Sequence, residues 1–266
     1  MKIINQDQYF KQINDISFIP TMGNLHDGHL SLINKAKDFK GPVVVSIFIN
    51  PLQFNNPDDL NKYPRTTDND IKLLESIDVD YLFTPNTNIL ENIEEIKANN
   101  YKNLLCDKYR PGHFDGVVTI VNKLFTIVEP QRAFFGLKDY QQFLHVKSLS
   151  IINDLNIDII PCETIRSNDG LAMSSRNNLL SKEGLKVASN IYKSIKRVKD
   201  SILVNQNILN EEIDYLSKLG IEIEYYQICD QETLEPINHK INNKFIVAIA
   251  AYVEGIRLID NILSDQ

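Results

Sequence analysis

The run Pro20-Thr-Met22-Gly23-Asn24-Leu25-His26-Asp27-Gly28-His29-Leu30 sets two imidazoles three positions apart, just beyond the apolar stretch Ser17–Ile19. The adjoining run, Leu30-Ser-Leu-Ile-Asn-Lys-Ala, has helical spacing, so both histidines are expected at a helix's first turn and on one face. Unpaired N–H groups and the positive end of the helix dipole make such a point a site for phosphate. Imidazoles there can donate hydrogen bonds to a nucleotide's phosphates or protonate a leaving group. Gly23 allows a tight turn, and Gly28 removes a side chain where a ligand would press close. The same histidines could instead do no more than cap the helix.

The other chemical-looking clusters also come just after strand-like runs. After Pro42–Ile49 comes Asn50-Pro-Leu-Gln53, whose amides suit the hydroxyl and carboxylate groups of a small polar substrate, or form only a turn with a surface amide. After Arg132–Phe135 comes Gly136-Leu137-Lys138-Asp139-Tyr-Gln-Gln142. There Gly136 lets the chain pass close to a ligand, Lys138 brings a point charge for phosphate and Asp139 stands where a helix cap belongs. A capped helix alone is the alternative. The loop Arg166-Ser-Asn-Asp-Gly-Leu-Ala-Met173-Ser174-Ser175-Arg176 sets two hydroxyls beside an arginine, as in a mobile strap closing on a triphosphate, or is merely solvated. Arg110-Pro-Gly-His113 adds a further arginine and histidine whose role stays open. There is no P-loop, no dinucleotide glycine fingerprint, no serine-hydrolase order and no cysteine beside a histidine. The collection suits attack on an α-phosphate, with charge stabilisation rather than covalent catalysis.

The elements that must position these clusters alternate. Pro42–Ile49 reads as a strand buried on both faces, Thr66–Ile77 as a helix, and Asp80–Thr84 as a strand. Gly116–Val128 is expected as a helix capped by Asp115, followed by strand Arg132–Phe135, helix Tyr140–Leu155 and strand Ile157–Pro161. That order implies an α/β fold with an open, mostly parallel sheet and ligands at the carboxyl ends of its strands. Two amphipathic helices (182–204 and 209–219) and then strands (221–228 and 245–253) give the rest an α+β pattern. The expected domains are therefore residues 1–176 and a smaller 177–266.

Bulk properties narrow the partners. The 266 residues are 43% hydrophobic and 24% charged with a net charge of −7, which argues against a general nucleic-acid binder. Three scattered cysteines (Cys106, Cys162, Cys229) match neither a zinc spacing nor a disulfide framework. The first residues lack an apolar signal core and no stretch approaches membrane-spanning length, so a cytoplasmic protein is expected.

On six blocks the chain resembles the pantothenate synthetases (pantoate–β-alanine ligases), nucleotidyltransferases with the His-x-Gly-His motif. The blocks are Pro20–His29, Val45–Phe54, Tyr63-Pro-Arg-Thr66, Arg110–Val117, Phe135–Gln142 and Asp169–Asn177. The resemblance runs from about Phe18 to Asn178 and resumes at Arg257-Leu-Ile-Asp-Asn. It implies a Rossmann-like ATP- and pantoate-binding domain and a C-terminal lid. It also implies a two-step ligation in which ATP and (R)-pantoate give pantoyl adenylate and pyrophosphate, and β-alanine then displaces AMP. ATP would act as a substrate accompanied by Mg2+, with no tightly bound organic cofactor, metal ligands unknown, and the enzyme a homodimer.

Carried over by motif, Met22 through His29 would line the ATP site, with His29 the proton donor and His26 a phosphate ligand. Gly136, Leu137, Lys138 and Asp139 would contact ATP, Lys138 offsetting charge at the α-phosphate. Ile165, Met173, Ser174, Ser175 and Arg176 would complete the nucleotide site, while Gln53 and Gln142 would grip pantoate, Gln53 also near β-alanine. Leu137 departs from the polar or acidic residue many relatives carry there, so only a backbone contact would survive at that point. Two rivals are a nucleotidyltransferase for a phosphorylated substrate, for which two glutamines are the wrong chemistry, and a nucleotide-binding module without turnover.

Overall fold

A computed structural model describes residues 1–5, 7–237 and 244–266. Packing groups them into two compact units. The first comprises Met1–Lys102, Arg110–Leu137 and Gln142–Glu163; the second comprises Asn103–Tyr109, Lys138–Gln141 and Thr164–Gln266.

The strands of the first unit are β1 (Lys2–Ile4), β2 (Ser17–Thr21), β3 (Val43–Ile47), β4 (Tyr81–Phe83), β5 (Arg132–Gly136) and β6 (Asp158–Cys162). All pair in parallel, in the order β1-β4-β3-β2-β5-β6. The helices between them are α1 (Asp27–Ala36), α2 (Pro57–Lys62), α3 (Thr67–Ser76), α4 (Leu105–Tyr109, which packs with the second unit), α5 (His113–Val128) and α6 (Tyr140–Ile152). Alternate residues of a strand face opposite sides, and the sequence fills both with apolar groups. Ile19, Val43, Val45 and Leu82 pack on one face with Ile33 of α1 and Leu74 of α3. Phe18 and Phe135 meet Phe125 of α5 edge-on on the other. Because β3 and β4 lie to one side of β2 and β5 to the other, the order reverses at β2. Open α/β sheets bind ligands at such a switch point, outside the strands' carboxyl ends.

Two details differ from expectation. Helix α5 begins at His113, entered through Gly112 at φ +81, and Asp115 does not cap it. Its carboxylate instead accepts from the Ala98 N–H at 2.9 Å and from Lys97, tying down the preceding loop. Strand β1 is an edge strand too short to stand out in the sequence.

In the second unit α7 (Lys182–Leu203) and α8 (Leu209–Lys218) lead to an antiparallel sheet of β7 (Glu222–Asp230), β8 (Phe245–Val253) and β9 (Ile256–Leu263). Ile191, Ile195 and Val198 on one stripe of α7 pack with Val247, Ile249 and Leu258 of that sheet. Among the described residues no helix is long and apolar enough to cross a membrane.

Candidate active site

The turn leaving β2 is held in a conformation that most residues avoid. Gly23 (φ +80) and Asn24 (φ +50) are both left-handed, and a Cβ on Gly23 would stand 3.1 Å from Asp70 Oδ2 and from Ile47. Asp70 is the peg. Its buried carboxylate accepts from the N–H of Asn24 and of Leu25, each at 2.9 Å, and from Thr66 Oγ1 at 3.1 Å. At the turn's other end Gly23 N–H donates to Thr21 Oγ1, which donates in turn to the Ser46 carbonyl.

That turn delivers the chain to α1 with His26 as N-cap. His26 Nδ1 accepts from Gly28 N–H at 3.1 Å, and His29 Nδ1 accepts from His26 N–H at 3.3 Å, a capping box built from two imidazoles. Their ring centroids are 4.1 Å apart. A neutral imidazole whose Nδ1 accepts carries its proton on Nε2, so capping fixes both tautomers as Nε2–H donors. Capping and phosphate chemistry are thus compatible readings of the same pair. Asp27 is exposed, whereas Met22, Leu25 and Gly28 are half-buried around the turn.

The second polar group of this unit is a chain of amides. Asn50, fully buried, accepts from Leu52 N–H through Oδ1 at 3.2 Å, so its Nδ2 must point the other way. Nδ2 donates to the Gly116 carbonyl at 3.0 Å and to Gln53 Oε1 at 2.9 Å. A backbone N–H therefore dictates the orientation of Asn50, and Asn50 dictates that of Gln53, which is left with its NH2 end to offer a carboxylate or hydroxyl. The Gln53 carbonyl is held by His113 Nδ1 at 2.7 Å and Arg110 Nη2 at 3.3 Å. This gives the Arg110–His113 cluster a positioning role. The turn can reach α5 only because residue 116 is glycine: a Cβ there would lie 2.3 Å from the Leu52 carbonyl oxygen. Gln142 sits half-buried in the first turn of α6. One turn on, His145 is buried against Phe114, with ring centroids 4.4 Å apart.

At the end of β5, Gly136 pairs with Cys162 and Leu137 opens a 3-10 turn, Leu137–Asp139. Lys138 and Asp139 belong to the second unit, where Lys138 Nζ lies 3.7 Å from the Asp139 carboxylate. Its partner segment there is a small hairpin. Met173 N–H donates to the Ile165 carbonyl at 2.9 Å, Ser167 N–H to Leu171 at 2.8 Å, and Gly170 turns at φ +93. The chain then runs into a second 3-10 turn, Ser175–Leu179, capped by Ser174 Oγ accepting from Arg176 N–H at 3.3 Å. Arg166 at the hairpin's base makes a two-pronged pair with Asp260, at 2.6 and 2.9 Å. Burial pushes the Asp260 carboxyl up, against the pull of Arg166.

No sequence signal beyond the i, i+4 spacing of Thr66 and Asp70 hints at the peg, and Asp260 and Asn261 showed only as the end of the resembling block Arg257-Leu-Ile-Asp-Asn, with no role attached. The three cysteines are buried and unbridged. Burial pushes Cys162 up to about 11 and Cys229 up to about 12, which leaves both as neutral thiols. Among the described residues, no three His, Cys, Asp or Glu side chains gather as metal ligands.

Comparison with known proteins points one way. The family model described as pantoate-beta-alanine ligase matches residues 2–263. A pantothenate synthetase of Thermotoga petrophila is 44% identical, covering 98% of this chain and 99% of its own length. The crystal structure of pantothenate synthetase from Thermus thermophilus superposes with a TM-score of 0.89 at 33% identity, covering 98% of this chain and 99% of that one. The pantoate-beta-alanine ligase of Francisella tularensis, complexed with beta-gamma ATP and beta-alanine, gives 0.81 at 37% identity, covering 100% and 98%.

Proposed function

The chain belongs to the pantoate–β-alanine ligase family, and from that premise we propose that it condenses (R)-pantoate with β-alanine through a pantoyl adenylate. A pantoate carboxylate oxygen attacks the α-phosphorus of ATP and the bond to pyrophosphate breaks. The β-alanine nitrogen then attacks the acyl carbon, AMP leaves with the bonding pair, and the amine sheds a proton. Activation is needed because a carboxylate is a poor electrophile. Mg2+ arrives with ATP as part of that substrate.

The observation that carries the chemistry is the two-histidine capping box. It leaves two neutral N–H donors at a helix N-terminus, which would suit the charge that develops on the phosphates as pyrophosphate departs. In this reading His29 supplies the strongest N–H donor to the developing charge, His26 binds phosphate, and Met22–Gly28 line the nucleotide. Gly136–Asp139, Ile165 and Met173–Arg176 serve ATP from their own segments, Lys138 as the compensating cation. Gln53 and Gln142 hold pantoate. The NH2 end that Asn50 leaves to Gln53 supports that assignment, because an amide binds a carboxylate without burying an added cation. Residues 1–176 would carry substrate binding and 177–266 the lid function, although Thr164–Arg176 packs with the latter. A homodimer and a cytoplasmic location belong to the same reading, and sedimentation of the purified protein checks the first.

The test is AMP release from ATP with pantoate and β-alanine supplied together, singly and not at all. AMP in quantity only with both is the expected result. ATP binding without AMP under any of these conditions would overturn the ligase reading and favour a binding module.

A further inference from the structure

Strand β9 spends two successive buried positions on polar side chains, Asp260 and Asn261, where its other buried residues are Leu258, Ile262 and Leu263. Burying such groups costs free energy unless each is matched, and apolar residues would hold a sheet at least as well. Both are matched: Asp260 Oδ1 accepts from the neighbouring Asn261 N–H at 2.8 Å, and each side chain also reaches a partner outside the sheet. Asn261 Nδ2 donates to the Lys138 carbonyl at 2.8 Å. Asp260 takes both prongs of Arg166, whose Nη2 also donates to the Asn261 carbonyl at 3.2 Å. Arg166 further reaches the Gly170 carbonyl at 3.3 Å, so its guanidinium staples the hairpin's turn to its base. The same guanidinium lies over the Tyr192 ring of α7, 3.7 Å from its centroid. Gly170 completes the seat, since a Cβ there would stand 2.7 Å from Tyr192 Cδ1.

We infer that Asp260 and Asn261 are positioning residues for adenylation. One dipeptide of β9 fixes the backbone that bears Lys138 and the hairpin that emits Met173–Arg176. This rests on the proposed ligase reading, which gives those two segments to the nucleotide. Two anion-binding segments far apart in sequence are held in register by one buried point within the second unit, before any phosphate binds.

The test compares Asn261→Ala, Lys138→Ala and the double variant of the full-length enzyme, in rate of adenylate formation and in KM for pantoate. Asn261→Ala is expected to slow adenylation about 10- to 100-fold with the pantoate KM unchanged, and to cost under about twofold when Lys138 is already alanine. The same loss in both backgrounds would show that Asn261 does not act through Lys138 and would overturn the inference, as would a wild-type rate with a lowered melting temperature. Hydrogen exchange provides a readout that needs no turnover. Asn261→Ala should speed exchange in residues 137–142, and Arg166→Lys should do so in 165–176. Unchanged exchange overturns the positioning role, whereas a wild-type enzyme that forms no AMP overturns only the ligase reading.

Discussion

Replacing His29 by alanine should slow adenylation by roughly 100-fold or more, the size expected for a lost transition-state hydrogen-bond donor. It should cost at most about 1 kcal/mol of stability, since one cap hydrogen bond disappears. His26→Asn separates the two jobs more sharply. An asparagine oxygen can still accept the Gly28 N–H, so melting should barely move while pyrophosphate release falls. Activity that tracks melting temperature across both variants would reduce the pair to a cap. At the amide relay, Asn50→Asp keeps the Leu52 cap but cannot donate to Gly116 or Gln53, which frees Gln53 to turn its oxygen outward. Steady-state kinetics should then show a pantoate KM raised at least about 10-fold with the ATP KM little changed, and Gln142→Ala should show the same bias. A larger effect on ATP than on pantoate would move both glutamines out of the pantoate role. The donors themselves were readable as residue types in the sequence. Their orientation was not, because it is set by backbone N–H groups that only the folded chain brings to Nδ1 and Oδ1.

Elements decide whether those donors are presented at all. Helix α5 and the Pro51–Gln53 turn meet backbone to backbone where residue 116 has no side chain. Gly116→Ala puts a methyl inside contact distance of backbone, which has no rotamer to yield, so the turn must retreat and carry Gln53 with it. Pantoate affinity should fall while the circular dichroism of the helices stays near wild type; unchanged affinity would mean the turn adapts without moving Gln53. Asp70 plays the corresponding part for the β2–α1 turn. Asp70→Asn can accept one of the two backbone N–H groups well but presents an NH2 to the other, a loss of about 1–3 kcal/mol read by urea unfolding, with the ATP KM raised more than that for pantoate. Strands such as β3 and the amphipathic α7 were legible because their periodicity is local. Asp70 reads only as an acidic residue in a helix's first turn, and Asp115, a good cap type, is diverted to the Ala98 N–H. In both cases the partner lies more than ten residues away, beyond what local pattern encodes.

At the scale of the molecule, the grouping of Lys138–Gln141 and Thr164–Arg176 with the C-terminal unit follows from pairs such as Lys138–Asn261 and Arg166–Asp260, separated by 123 and 94 positions. Composition alone could place a change of texture near residue 177 but could not foresee those pairs. Whole-chain stability also carries a pH dependence with an identifiable source. His145 of α6 is buried against Phe114 and Tyr101, and its Nε2 finds no hydrogen-bond partner among the described residues. Burial lowers it from 6.5 to about 4, opposed by the charge of Asp115. The native state thus keeps this ring neutral while the unfolded chain takes up a proton as pH falls through 6.5, so stability is intact above that pH and is lost down to about pH 4. Below about pH 4 both states bind the proton and the loss stops growing. The gap corresponds to at most about 3 kcal/mol. Carboxylates titrate over part of the same range in a chain of net charge −7, so the contribution must be isolated by difference. His145→Phe keeps the ring stacking and removes both the titration and the unsatisfied nitrogen. Its unfolding free energy should therefore gain on wild type steadily as urea titrations are moved from pH 7 to pH 4.5. A difference that stays constant over that range would mean that His145 is already charged in the native state or neutral in both.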